Sequence, residues 1–191
     1  RVYAADYPEW NGRWMMVLMS QLSTAQRKEL RQELEWHGFG SLAPTLMLHP
    51  RMERSELQSV LQDQGVQDEV IVMDTLAEED STSRAMRQQA RECWNLEKLS
   101  ESYQHFLDQF RPLWNEIKDR EQLDPQQAFL ARTLLIHEFR RILLRDPQLP
   151  EELLPGDWEG RAARQLCANL YQLLWKAAEQ HLDEMLETAE G

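Results

Sequence analysis

The sequence predicts an α+β protein in two parts: a small sheet domain over residues 13–77 and an all-helical domain over residues 84–191. Two observations carry that prediction. In the first part, short apolar runs alternate with stretches of helical period, and Gly or Pro separates them. In the second, apolar residues recur every three or four positions almost without interruption. The polar, acidic run 78–83, with Glu78, Glu79 and Asp80, suits a solvated linker between them.

Taken in order, residues 1–12 carry Pro8, Asn11 and Gly12 and read as an arm or linker entering the sheet domain. Residues 13–20 are apolar, with Trp14 near the start, and suit a strand buried on both faces. Ser23 is placed to cap a helix over 24–37 with Ala25, Leu30, Leu34 and Trp36 on its inner face, closed by Gly38 and Gly40. Residues 39–50 give two short extended pieces broken by Pro44, an antiparallel pair. A second helix spans 55–64 and ends at Gly65, and EVIVMDTL over 69–76 is the last strand. Strand, helix, strand, strand, helix, strand is the split βαβ order of ferredoxin-like domains, with the helices on one face of an antiparallel sheet.

The second part predicts a helical bundle. One helix covers 84–94 and another 96–114, with Leu99, Tyr103, Phe106, Leu107 and Phe110 on a core face and Pro112 bending or ending it. Asp124-Pro125 starts a third helix, whose stripe of Ala128, Ala131, Leu135, Phe139 and Ile142 is widened by Leu130 and Leu134. That helix stops before Asp146-Pro147, and Pro150 and Pro155 leave room for one short turn near 151–154. Asp157 offers a cap to a last helix reaching about Leu186, which buries Leu166, Leu170, Leu173, Leu174 and Ala177 and ends in a frayed acidic tail over 183–190.

Composition narrows the function classes. The net charge is −12 and is shared by both halves: residues 1–77 carry 7 basic and 11 acidic side chains, residues 78–191 carry 14 and 22. Non-specific nucleic-acid binding needs a basic face to neutralise phosphates, so this stretch is by itself a poor DNA binder. No apolar run approaches the length of a membrane span and no signal-peptide order opens the sequence, which predicts a cytoplasmic location without membrane contact. Cys93 and Cys167 have no partner at metal or redox spacing, and the five histidines form no zinc set. His105 with Asp108 is a helix-surface pair, and no nucleophile motif or phosphate-cradling glycine loop occurs, so neither catalytic nor metal residues are assigned.

Against that background, LLIHEFRRILLRDPQLPEELLPGDWEGRAARQLCANLY resembles the signature region of the PaaX family, bacterial repressors of phenylacetic acid degradation genes. YPEWNGRWMMVL, ELEWHGFGSLAP and ARECWNLEKLSESYQHFLDQFRPLW extend the resemblance over nearly the whole chain. The resemblance implies a Cas2-like central domain, a homodimer, and a winged-helix DNA-binding domain ahead of this sequence, so that a chain opening Arg1-Val2-Tyr3 reads as a fragment that meets operator DNA through the part it lacks. It also implies an effector, phenylacetyl-CoA, that releases the repressor from DNA; no other cofactor is expected.

One cluster suits that effector. His137, Arg141 and Arg145 are four residues apart and share a helix face, with Arg140 adjacent, and clustered guanidiniums match phosphates with forked donors. The same arginines could instead pair with Glu138, Glu151, Glu152 or Asp157 and pin the connector. Trp14 and Trp158, each near a glycine and a charged residue, complete the candidate ligand site as walls for a phenyl ring, although tryptophans in such patterns are commonly core. Two rival readings stand: a Cas2-like metal-dependent nuclease, disfavoured because the first strand ends in Met19-Ser20 without a carboxylate, and an interaction module that senses nothing.

Overall fold

The computed structural model describes residues 10–76 and 83–190. Most of the 1–12 arm and nearly all of the 78–83 boundary fall outside them. Among the described residues, 10–76, 83–96 and 146–156 form one compact unit, and 97–145 with 157–190 form another.

The first unit is built on a four-stranded antiparallel sheet of β1 (Arg13–Leu18), β2 (Gly40–Ala43), β3 (Leu46–His49) and β4 (Ile71–Leu76). The strand order is β2-β3-β1-β4, with Met15 opposite His49 and Asp74 on its two neighbours. Helices α1 (Thr24–Trp36) and α2 (Arg54–Asp63) join the strands. A capping box starts α1: the Ser23 hydroxyl oxygen accepts from the Gln26 N–H, and the Ser23 N–H donates to Gln26 Oε1. Gly38, at φ +85°, takes the left-handed conformation just beyond the helix.

Met15 and Val17 of β1 join Leu30 and Leu34 of α1, Met47 of β3, and Leu57, Val60 and Leu61 of α2 in one buried cluster. Each such side chain contributes about 1.5–3 kcal/mol on burial. Trp14 points to the opposite side of β1 and is also buried, so the strand is covered on both faces. Its cover comes from α3 (Ser83–Cys93) and the residue after it, Trp94, whose ring stacks on Trp14 at 6.2 Å. Gly40 permits this, because a Cβ there would sit 2.5 Å from Trp94 Cε2. Trp36, expected on the inner face of α1, is instead 81% exposed; two residues past the buried Leu34, it is turned about 200° around the helix and onto the solvent side.

The second unit consists of α4 (Leu96–Ile117, from Glu97 onward), α5 (Pro125–Leu143) and α6 (Glu159–Glu190). Helix α4 passes through Pro112 and does not end there. A proline costs a helix interior about 3 kcal/mol, and burial of Phe106 and Phe110 before it and Ile117 after it outweighs that loss. Asp124 caps α5 by accepting from the Gln127 N–H at 2.8 Å. Ala128, Leu135, Phe139 and Ile142 are buried as their spacing predicts, but Leu130 and Leu134 face solvent at 58% and 47% exposure. The apolar stripe is therefore narrower than composition suggests. Helix α6 begins at Glu159 and runs to Glu190, beyond the expected stop at Leu186. Trp158, rather than Asp157, directly precedes it, and Cys167 and Ala178 take fully buried positions while Leu173 and Ala177 are only partly covered.

Candidate functional site

In the helical unit, α4 and α5 leave a groove of about 360 Å³ between them. Leu99, Phe106 and Ile142 give it apolar surface, and Lys98, His105, Arg141 and Arg145 line it with cationic or titratable groups. Glu101 and Glu138 are its carboxylates. Phe106 is held by Phe110 and Phe139, with ring centroids 4.7 and 5.2 Å away, so the apolar wall belongs to the packed core and is rigid.

The groove receives two of the six residues assigned from the sequence. Arg141 lies on the last turn of α5 and donates Nη1 to Glu138 Oε2 at 3.0 Å, one of the pairings the sequence left open. Arg145 follows two residues beyond the helix, its N–H bonded to Ile142 O at 2.9 Å, and its side chain makes no ion pair among the described residues. Arg140 and His137 are exposed on α5 but do not line the groove. The one-residue offset of Arg140 turns it about 100° around the helix from Arg141.

Trp158 is buried in this unit, edge-on to Tyr103 at 5.7 Å and close against Gly160, where a Cβ would collide with its indole. Trp14 belongs to the sheet unit, buried between Trp94 and Trp10. Both are packing residues in their own units. Lys98 and His105 were missed because they lie on α4, and only the packing of α4 beside α5 brings them to Arg141; their i, i+7 spacing on one helix face was the available signal.

The connector between α5 and α6 belongs to the sheet unit, where a 3-10 turn spans Glu151–Leu153 and Glu152 Oε1 accepts from the Trp10 N–H at 3.2 Å. Leu149 and Leu153 are buried there. Burial raises the Cys167 thiol pKa to about 12, and burial also raises that of Cys93, so neither is an activated nucleophile. Among the described residues, no three of His, Cys, Asp or Glu are grouped to hold a metal ion, and no helix is long and apolar enough to cross a membrane. The first strand leads into Met19, which is buried and donates its N–H to Thr45 O.

Among the described residues, these features define a mixed α+β protein with a four-stranded antiparallel sheet and six α-helices. Residues 7–89 match the family model described as PaaX protein central Cas2-like domain, and residues 94–184 match PaaX-like protein C-terminal domain. The chain belongs to the PaaX family. It is 39% identical to the transcriptional repressor PaaX of Escherichia coli (strain K12) over all of its own length, and it spans 61% of the length of that curated relative. Among solved structures, it resembles the uncharacterized protein Rv0674 from Mycobacterium tuberculosis with a TM-score of 0.58 and 23% identity, over 91% of this chain and 64% of that one. That likeness concerns the fold.

Proposed function

We propose that this chain is the dimerisation and effector-sensing part of a transcriptional repressor of phenylacetate catabolism, and that phenylacetyl-CoA is the effector. The observation that carries the proposal is the 39% identity with the E. coli repressor across the full chain. The sheet, with its 2-3-1-4 antiparallel order, supports reading the central part as a ferredoxin-like scaffold, and the three antiparallel-capable helices of the other unit support reading it as a bundle.

The α4–α5 groove is the proposed sensor. Its volume lies at the low end of ligand pockets, which suits one end of an acyl-CoA rather than all of it. Arg141, Arg145 and Lys98 would meet phosphate oxygens, and Phe106, Leu99 and Ile142 would offer surface to the less polar part. The ligand acts by favouring one of two arrangements of the whole repressor, the one unable to hold both operator half-sites, and its leverage equals its difference in affinity for the two. Kinship to a repressor favours a regulator over an enzyme, and among the described residues neither thiol is activated and no three metal-ligating side chains are grouped.

Calorimetric titration with phenylacetyl-CoA, set against CoA alone and phenylacetate alone, tests the proposal. Saturable binding selective for the thioester supports it. A folded protein giving no heat with any of the three makes the chain an interaction module and withdraws the sensor assignment.

A further inference from the structure

A second cleft, of about 570 Å³, lies wholly within the sheet unit. Arg13, Arg51 and Arg54 line it beside Trp10, with Glu53 and Asp74 as its carboxylates. The chain path explains the convergence. The β1–β3 ladder ends with Met15 opposite His49, and the turn that follows β3 carries Arg51 into the cleft that Arg13 of β1 also lines.

The cleft is held in shape by its surroundings. His49 accepts through Nδ1 from the N–H groups of Arg51 at 2.9 Å and Met52 at 2.6 Å, so the turn that presents Arg51 is tied to a partly buried imidazole. Arg13 forks onto both oxygens of Asp74, which fixes its guanidinium at the rim and neutralises that carboxylate. Arg54, exposed at the start of α2, makes no ion pair among the described residues. Glu53 precedes it without any side-chain cap on the helix, leaving the first-turn N–H groups uncapped. Trp10 fixes its own edge by donating Nε1 to Arg13 O at 3.0 Å.

We propose that this cleft binds the phosphate group of a small phosphorylated molecule, with the guanidinium forks of Arg51 and Arg54 on the phosphate oxygens, Arg13 at the third side, and Trp10 as the wall for whatever carries the phosphate. Three guanidiniums against two carboxylates make the cleft a local cationic exception in a chain of net charge −12. A nucleic-acid backbone would meet that acidic surface along its length, whereas a single phosphate ester meets only the cleft. The site shares no residue with the α4–α5 groove and stands or falls apart from it.

The test is an NMR titration of amide and indole N–H resonances with inorganic phosphate and with adenosine 3′,5′-bisphosphate, at constant ionic strength, using chloride as control. Saturable shifts centred on Trp10 and residues 51–54 are expected, with Arg54→Ala weakening affinity about tenfold and Arg54→Lys falling between. Asp74→Asn removes a like charge and releases Arg13, and so tightens phosphate binding severalfold; a residue with a merely structural role would not do that. Bisphosphate binding well above that of phosphate identifies a nucleotide-like carrier, and equal affinity identifies free phosphate. Shifts that fail to saturate, or that Arg54→Ala leaves unchanged, overturn the proposal.

Discussion

Gly40→Ala tests the packing on which the sheet unit's second face depends. The new Cβ would stand 2.5 Å from Trp94 Cε2 and 2.8 Å from both Cδ2 and Cζ2, contacts that no small adjustment relieves. The ring is not a loose end, since its Nε1 donates to Gly38 O at 2.9 Å and its face stacks on Trp14. If the ring stays, overpacking costs about 1–3 kcal/mol. If it swings away, the lost hydrogen bond and ring contact together cost about 2 kcal/mol. Either route destabilises the protein by about 2 kcal/mol, read as a lower urea midpoint at unchanged m-value with reduced near-ultraviolet circular dichroism. In a Trp94→Leu background the same substitution should cost less than about 1 kcal/mol, a coupling that a double-mutant cycle measures. A Gly40→Ala protein within about 0.5 kcal/mol of the parent, or an equal loss in both backgrounds, refutes the reasoning.

Burial, with smaller contributions from Arg51 and His37, lowers the His49 pKa from 6.5 to about 4. Because the unfolded chain then binds the proton more readily, His49 contributes stability above pH 6.5 that fades as pH falls towards 4, by up to about 3 kcal/mol; urea midpoints across that range should drop, and less so in His49→Gln. Cys167, raised to about 12, has the opposite sign, its contribution fading as pH rises from 9 towards 12. At pH 8 a thiol reagent should therefore label neither cysteine quickly in the native state, Cys93 faster than Cys167, and both at once in urea. Pro112→Ala restores a helical N–H in α4 and should stabilise the helical unit by roughly 1–3 kcal/mol in thermal unfolding, with no change in ligand affinity.

Local signals in the sequence lead to most of the secondary structure. Ser23 with Gln26, Asp124 with Pro125, and Gly38 and Gly65 at positive φ mark helix ends within a residue or two, because capping and left-handed turns are decided by neighbours in the chain. Burial on each helix was less legible. Leu130, Leu134 and Trp36 are as apolar as their buried neighbours, and only the presence of a facing element separates the two sets. Pro112 failed as a stop signal because the penalty of one proline is small beside the aromatic core that the continued helix buries.

The lining of the α4–α5 groove was only partly legible. The four-residue spacing that selects Arg141 and Arg145 selects His137 equally, yet His137 lies outside the groove, and Lys98 and His105 come from α4 and needed the packed pair of helices. The Arg13, Arg51 and Arg54 cluster was invisible to spacing, since Arg51 lies 38 positions after Arg13 and only the pairing of β1 with β3 and the turn after β3 bring them to one cleft. Trp14 and Trp158 attracted attention for the glycines near them. Trp158 does press against Gly160, but through core packing, while the glycine essential near Trp14 is Gly40, reached through Trp94.

The most direct test of the sensor assignment compares phenylacetyl-CoA affinity in Arg141→Ala and Arg140→Ala by calorimetry. Both side chains are exposed, and each substitution should change stability by less than about 1 kcal/mol, so affinity can be read cleanly. A groove on the α4 side of α5 predicts about a tenfold loss for Arg141→Ala and none for Arg140→Ala. Equal losses in both, or a loss confined to Arg140→Ala, would contradict the account.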